Sequence, residues 1–307
     1  MTSKSSTQIE APFGRLITAM VTPFKKDGEI DWAGVETLAH HLVASGHDAI
    51  AVNGTTGEAP TTKSSEKLEI IRVVKKAVGD KVKVLTGAGD NETAYTVEQA
   101  KRSAEAGVDG LLIVTPYYNK PTQEGMYQHF KTIAEKVDLP VILYNVPGRT
   151  VADMANETVI RLAKVPGITG IKDATGNLER GTQLIAGLKA AGAHDFAVYS
   201  GDDLTALFLM LMGGQGNISV TANVAPKLMH ELCVAAMAGD MARTREIQYK
   251  LLAVHKSMFI EANPIPVKWA LHAMGRMDSG IRLPLTTLSD ASQEQVRQAL
   301  KAAGLLV

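Results

Sequence analysis

The chain has 307 residues, 45% hydrophobic and 21% charged, with 32 basic side chains against 32 acidic ones. It can bury a core of full size, while a net field able to hold nucleic acid or an anionic membrane by bulk electrostatics is absent. Its single cysteine, Cys233, excludes an intrachain disulfide, reads as a small buried apolar residue, and points to a reducing, cytoplasmic compartment.

The N-terminal MTSKSSTQIEAPFGR is polar and lacks the apolar stretch of a signal peptide, so residues 1–13 read as a disordered arm. From residue 14 one grammar repeats. An amphipathic helix ends at Gly, a few residues follow, and a short apolar run then ends in polar or Gly residues. SGHDAIAVNGTTG (45–57) and AGVDGLLIVTPYY (106–118) show it most plainly. The apolar runs are LITAMVTP, DAIAVNG, VKVLTGAG, DGLLIVTP, PVILYNVP, ITGIKDAT, FAVYSGDD and GNISVTAN. They are nearly continuously apolar, as parallel strands covered on both faces should be. Eight such units predict an α/β fold, a closed (β/α)8 TIM barrel over residues 14–224, with an open doubly wound sheet as the alternative.

The helices carry matching signals. Asp31 can cap a segment whose Trp32, Val35, Leu38 and Leu42 fall on one face and which Gly46 ends, and Asn91 and Gly107 bracket another. The most apolar run, ALFLMLM at 206–212, is far shorter than the roughly 20 residues of a membrane span. Residues 225–307 hold helical periodicity and no convincing strand, which predicts a barrel-closing helix followed by a helical C-terminal extension. Within it ANPIPVKWAL (262–271) reads as a turn and a helix entered at Pro266.

Active sites in this fold gather at the C-terminal ends of the strands. Those ends bring together GTTGE (54–58), Tyr117 and Tyr118, Tyr144 with nearby Arg149, Lys172, SGDD (200–203) and GNISVTAN (216–223). The lone lysine of GIKDATG is the unusual member. An amine in an apolar barrel mouth loses hydration of its charged form and becomes a nucleophile able to form a Schiff base with a ketone. Alternation along the strand turns Asp173 away from it; the competing reading is a lysine that reaches water at the rim.

Imine chemistry needs a proton carrier, and a phenol such as Tyr144, joined to a hydroxyl relay, is suited to it. The GTTG loop offers amides and hydroxyls as a cradle for a small carboxylate, though it could equally be a turn. Arg149 could grip a second carboxylate bidentately or form a structural ion pair. The eight histidines show no metal-ligand spacing, GAGDNE (87–92) lacks the third glycine of a dinucleotide fingerprint, and the acidic SGDD disfavours a phosphorylated substrate.

The ordered set GTTGE (54–58), TPYYNKP (115–121), YNVPGRT (144–150), GIKDATG (170–176), SGDD (200–203) and NPIPVKW (263–269) resembles the dihydrodipicolinate synthase family, from about residue 14 to the C-terminus. That family belongs to the class I aldolases of the N-acetylneuraminate lyase superfamily. The resemblance implies that Lys172 forms a Schiff base with pyruvate, with no other cofactor and no metal, and that the enamine attacks L-aspartate 4-semialdehyde. It implies that Thr55 and Thr56 hold the pyruvate carboxylate, and that Tyr144 relays protons through Thr55. Tyr118 would complete the relay from the neighbouring subunit of a tight dimer within a homotetramer. Arg149 would bind the semialdehyde carboxylate, and Gly201 and Ile218 would line the pyruvate pocket.

Sialic-acid lyases and other sugar-acid aldolases and dehydratases share the lysine and tyrosine but usually lack the arginine, which makes them the alternative; a non-catalytic barrel is the third. Lysine-inhibited members carry two histidines and a glutamate at positions matching Ser64, Lys67 and Tyr95. This chain keeps only Asn91 and Tyr117 of that effector set, which implies weak or absent inhibition by L-lysine.

Overall fold

The computed structural model describes residues 11–306. Its eight strands are β1 Leu16–Ala19, β2 Ala49–Val52, β3 Lys83–Gly87, β4 Gly110–Val114, β5 Val141–Asn145, β6 Ile168–Asp173, β7 Ala197–Ser200 and β8 Gly216–Ser219. Each pairs in parallel with the next, and β8 pairs with β1, so the sheet closes. All eight coincide with the apolar runs read in the sequence; the open sheet is excluded.

Two apolar layers follow from the pleat. Ile17, Ala19, Ala49, Ala51, Leu85, Leu112, Ile142, Ala197 and Ile218 fill the inside of the barrel together with Tyr144 and Tyr199. The alternate residues, such as Val141, Leu143 and Ile171, face outward and form the larger core with the surrounding helices. Alanines on β1 and β2 leave the inside narrower in side chain than the outside, which makes room near the mouth. Lys172 shares the inward parity of Gly170, so it enters the barrel, while Asp173 faces out and accepts from the Thr175 backbone N–H at 2.9 Å.

The helix Trp32–Ala44 is capped by Asp31, whose carboxylate accepts from the Gly34 N–H, and it buries Val35, Leu38 and Leu42. Trp32 departs from the expected face and is exposed, because at the first helical position it lies beyond the strip that meets the barrel. The helix Thr93–Glu105 is capped by Glu92 rather than Asn91, its carboxylate accepting from the Ala94 and Tyr95 N–H groups. Asn91 is drawn instead toward the Tyr117 carbonyl, to which it donates at 3.1 Å.

Residues 1–10 of the expected arm lie outside the described residues. Of its last three residues, Phe13 is buried, its N–H donating to the Tyr199 hydroxyl at 3.3 Å. A Cβ on Gly110 would overlap the Phe13 ring, so that glycine at the start of β4 makes the space the ring fills. Phe13 therefore belongs to the inner core of the barrel.

After β8 the helix Pro226–Ala238 follows, then Met241–Ser257, Ile265–Ala273 and Asp290–Ala302 as the C-terminal extension. Cys233 is buried in the first of these. No helix among the described residues is long and apolar enough to cross a membrane.

Candidate active site

Lys172 and Tyr144 are register partners on adjacent strands, and Tyr199 partners Lys172 on its other side. The Lys172 side chain is 5% exposed, and its Nζ lies 4.3 Å from the centre of the Tyr144 ring. Among the described residues no carboxylate is within ion-pair distance of that amine, so the ring face is the favourable partner observed for its charge. The rim reading of Lys172 is excluded by this burial. A Cβ on Gly201 would stand 2.8 Å from Lys172 Cε and 2.7 Å from the Ala174 Cβ, so the glycine at the end of β7 gives the lysine stem its room. Ile218 is fully buried in the same inner layer.

The GTTGE segment leaves β2 in a tight turn. Asn53 and Glu58 at its ends adopt left-handed backbone, with φ of 54° and 56°. Within it the Gly57 and Glu58 N–H groups donate back to the Gly54 and Thr55 carbonyls, each at 3.1 Å. Among the described residues the backbone N–H groups of Thr55 and Thr56 have no partner, and the Thr55 hydroxyl has none either. Consecutive unpaired amides in such a turn make an anion cradle. Asn53 ties the loop back by donating to Thr86 Oγ1 at 3.0 Å and to the Lys67 carbonyl at 3.1 Å.

A cavity of about 620 Å³ opens at the C-terminal ends of β2 to β5. Thr55, Tyr144 and Arg149 line it, and so do Ser64, Lys67, Asp90, Tyr95 and Tyr117. Of the relay, arginine and effector positions named from the sequence, Thr55, Tyr144, Arg149 and Tyr117 thus share one wall, while Tyr118 and Asn91 are not on it. Thr56, Lys172, Gly201 and Ile218 are not on that wall; Lys172 meets it through the Tyr144 ring. Arg149 is exposed on the short turn Pro147–Thr150 and donates from Nη2 to the Asn263 carbonyl at 3.0 Å. It makes no ion pair among the described residues, which removes the structural-pair reading.

Tyr118 does not join these residues within the chain. It is 88% exposed, with a left-handed φ of 74°, its N–H donating to the Thr150 carbonyl at 3.4 Å. Neighbouring Tyr117 donates its hydroxyl to Asp90 at 3.1 Å, and burial together with the Asp90 charge raises its phenol above the usual range. Burial pulls the Lys67 ammonium below its ordinary value, with Asp90 pulling the other way.

Further residues at the site make contacts that motif reasoning alone does not reveal. Asn263 contacts both Thr56 and Arg149. Glu58, the last residue of GTTGE, forms a buried ion pair with Lys268 and accepts from the Arg282 N–H at 3.0 Å. Burial pulls the Lys268 ammonium down to about 8 despite the opposing pull of Glu58. The Lys268 and Arg282 cations each lie over the Phe24 ring, 4.1 and 4.4 Å from its centre. The signal for Lys268 was present: a lysine in the short, mostly apolar helix IPVKWALHA calls for a buried partner. Among the described residues no group of three or more His, Cys, Asp or Glu side chains is placed to hold a metal ion.

The model of the dihydrodipicolinate synthetase family matches residues 12–303. A protein of Polynucleobacter asymbioticus named 4-hydroxy-tetrahydrodipicolinate synthase is 63% identical over 288 residues, 94% of each chain. The crystal structure of a chloride-inhibited dihydrodipicolinate synthase from Acinetobacter baumannii, complexed with pyruvate, superposes with a TM-score of 0.93 at 49% identity, covering 96% of this chain and 100% of that one. A monomeric dihydrodipicolinate synthase variant superposes with a TM-score of 0.94 at 42% identity, covering 96% and 98%.

Proposed function

The chain belongs to the dihydrodipicolinate synthetase family, and from that premise we infer that it condenses pyruvate with L-aspartate 4-semialdehyde to give 4-hydroxy-tetrahydrodipicolinate, on the route to diaminopimelate and lysine. The observation that carries this reading is the Lys172 amine, buried against the Tyr144 ring at the mouth of a barrel whose relatives are named for that synthase. The sugar-acid alternative loses to those names and to the presence of Arg149; the idle barrel loses to the intact lysine, tyrosine and threonine set.

Lys172 gives up its ammonium proton and attacks the C2 carbonyl of pyruvate as the free amine; protonation of the carbinolamine hydroxyl and loss of water leave a protonated imine. That cation acts as the electron sink. A proton leaves C3, the resulting enamine carbon bonds to the aldehyde carbon, and the aldehyde oxygen takes up a proton. The substrate's own amine then attacks the imine carbon, closing the ring and expelling Lys172 as a free amine. Lys172 is the covalent centre, with no further cofactor and no metal in the scheme.

The side-chain roles extend this reading. Tyr144 carries protons to the departing carbinolamine oxygen and from C3 of the bound pyruvate, with the Thr55 hydroxyl as its relay, both groups lining one cavity. The unpaired amides of Thr55 and Thr56 and their hydroxyls hold the pyruvate carboxylate, and Arg149 holds that of the semialdehyde. Gly201 and Ile218 shape the pocket about the lysine. Tyr118 is offered to a neighbouring copy, where it completes the Tyr144–Thr55 relay across a tight dimer, two of which form a homotetramer; its near-complete exposure supports this. Asn91 and Tyr117 belong to an effector cleft, and the enzyme works in the cytoplasm.

The test is pyruvate consumption by the purified protein with aspartate semialdehyde and, separately, with sugar-acid aldehydes. Consumption that depends on the semialdehyde, and that Arg149→Ala weakens through KM for it, supports the reading. Turnover with the sugar-acid aldehydes alone contradicts it.

A further inference from the structure

The motif NPIPVKW (263–269) carries no step of the reaction above, yet its first residue stands between the two carboxylate sites. Asn263 is buried just before the helix Ile265–Ala273. Its side-chain Nδ2 donates to Thr56 Oγ1 at 3.0 Å, and its backbone carbonyl accepts from Arg149 Nη2 at 3.0 Å. One residue of the C-terminal extension therefore touches the group assigned to each substrate.

The polarity of the first contact has a chemical consequence. An amide nitrogen only donates, so the Thr56 oxygen serves Asn263 as acceptor and the hydroxyl proton is left to donate elsewhere. An ionised carboxylate only accepts, and this is the orientation its binding requires. The second contact engages one Arg149 nitrogen and leaves further guanidinium N–H groups for a carboxylate. Asn263 Oδ1 is buried without a partner among the described residues. An asparagine retained only for packing would be expected to satisfy both ends of its amide. The buried Glu58–Lys268 pair anchors the helix behind Asn263 to the end of the GTTGE loop, so both partners of the contact sit on rigid support.

We propose that Asn263 is a positioning residue that turns the Thr56 hydroxyl toward the bound pyruvate carboxylate and seats Arg149 at a fixed spacing from it. The proposal rests on the roles assigned above to Thr56 and Arg149.

The experiment is steady-state kinetics on the full chain for Thr56→Val, Arg149→Ala, Asn263→Ala, Asn263→Asp and the double variant Thr56→Val/Asn263→Ala, each checked for folding by circular dichroism. Asn263→Ala should raise KM for pyruvate about tenfold and add little on top of Thr56→Val, since both remove the same oriented donor. Asn263→Asp, close in size, accepts from Thr56 and turns its proton away, so it should raise that KM further and keeps the test open if the alanine variant does not fold. KM for the semialdehyde should rise in both as Arg149 loses its seat. A residue that serves only packing would lower the active fraction, and hence kcat, at unchanged KM. That result, or independent multiplication of the Thr56→Val and Asn263→Ala effects, overturns the proposal. Unchanged KM values in Thr56→Val and Arg149→Ala would instead overturn the reading of the two carboxylate sites on which it rests.

Discussion

The Lys172 ammonium lies 4.3 Å from the centre of the Tyr144 ring, on strands whose register pairs the two residues directly. The ring and the hydroxyl of Tyr144 are therefore separable: the face holds the cation, and the proposed mechanism has the phenol carry protons. Tyr144→Phe should keep the lysine in place while lowering kcat by about 10²–10³-fold. The check is single-turnover kinetics, with pyruvate adduct formation at Lys172 slowed but not lost. An unchanged kcat would remove Tyr144 from the proton relay.

Gly201 borders the lysine stem where the structure has no spare volume. With an added Cβ 2.8 Å from Lys172 Cε, either the stem or β7 has to move. Gly201→Ala should cut the rate of imine formation by about tenfold or more while the fold persists, since a displacement on the order of 1 Å at a reacting group is costly. Stopped-flow measurement of imine formation checks this, and an unaltered rate would show that the lysine has slack at that point.

The pair of Glu58 and Lys268 is almost wholly buried and joins the GTTGE loop to the C-terminal extension. Lys268→Met leaves Glu58 without its counter-charge and should cost about 3–5 kcal/mol of stability. Glu58→Gln combined with Lys268→Met should return most of it. Denaturant unfolding of the two variants decides the matter, and equal losses in both would mean that packing rather than the uncompensated charge sets the cost.

His47 is enclosed between the Thr18 hydroxyl and the Pro226 carbonyl, and burial pushes its imidazole down to about 4. The facing charges are few: Asp48 pulls its value up, while His230 and His41 pull it down. An unfolded histidine titrates near 6.5, so between that value and about 4 the unfolded chain binds the extra proton. The contribution is therefore complete above pH 6.5 and is lost as the pH falls through this window, to about 3 kcal/mol. The denaturation midpoint should fall less steeply with acidification in His47→Gln than in the parent. Equal slopes would show that the imidazole protonates without cost in the folded state.

Lys67 shares the cavity wall with Ser64, Tyr95 and Tyr117. Its half-buried ammonium opposes a second cation in that cleft, and Tyr95 offers no carboxylate in return. L-lysine should inhibit weakly or not at all in initial-rate assays. Half-inhibition at sub-millimolar lysine would contradict this.

The barrel was legible because parallel strands buried on both faces leave continuous apolar runs, and because helices announce their ends: Asp31 opens one as expected. Where two acceptors compete for one helix start, the pattern is silent. Glu92 caps the helix at Thr93 because its longer carboxylate reaches two N–H groups, and this frees Asn91 for the Tyr117 carbonyl. Lys172 was readable as an oddity, an amine at the end of an apolar strand. Asn263 was not, since its importance lies in contacts to residues more than a hundred positions away, which no local period encodes. The same holds for Phe13, whose ring inside the barrel is invisible in a polar N-terminal stretch.

The central claim is a covalent bond between Lys172 and pyruvate. Intact-mass spectrometry after incubation with pyruvate and borohydride measures it directly, with Lys172→Ala alongside. One reduced pyruvate adduct per chain, mapped to Lys172 and absent from the variant, is the expected result. No adduct, or an equal adduct on the variant, would contradict the account.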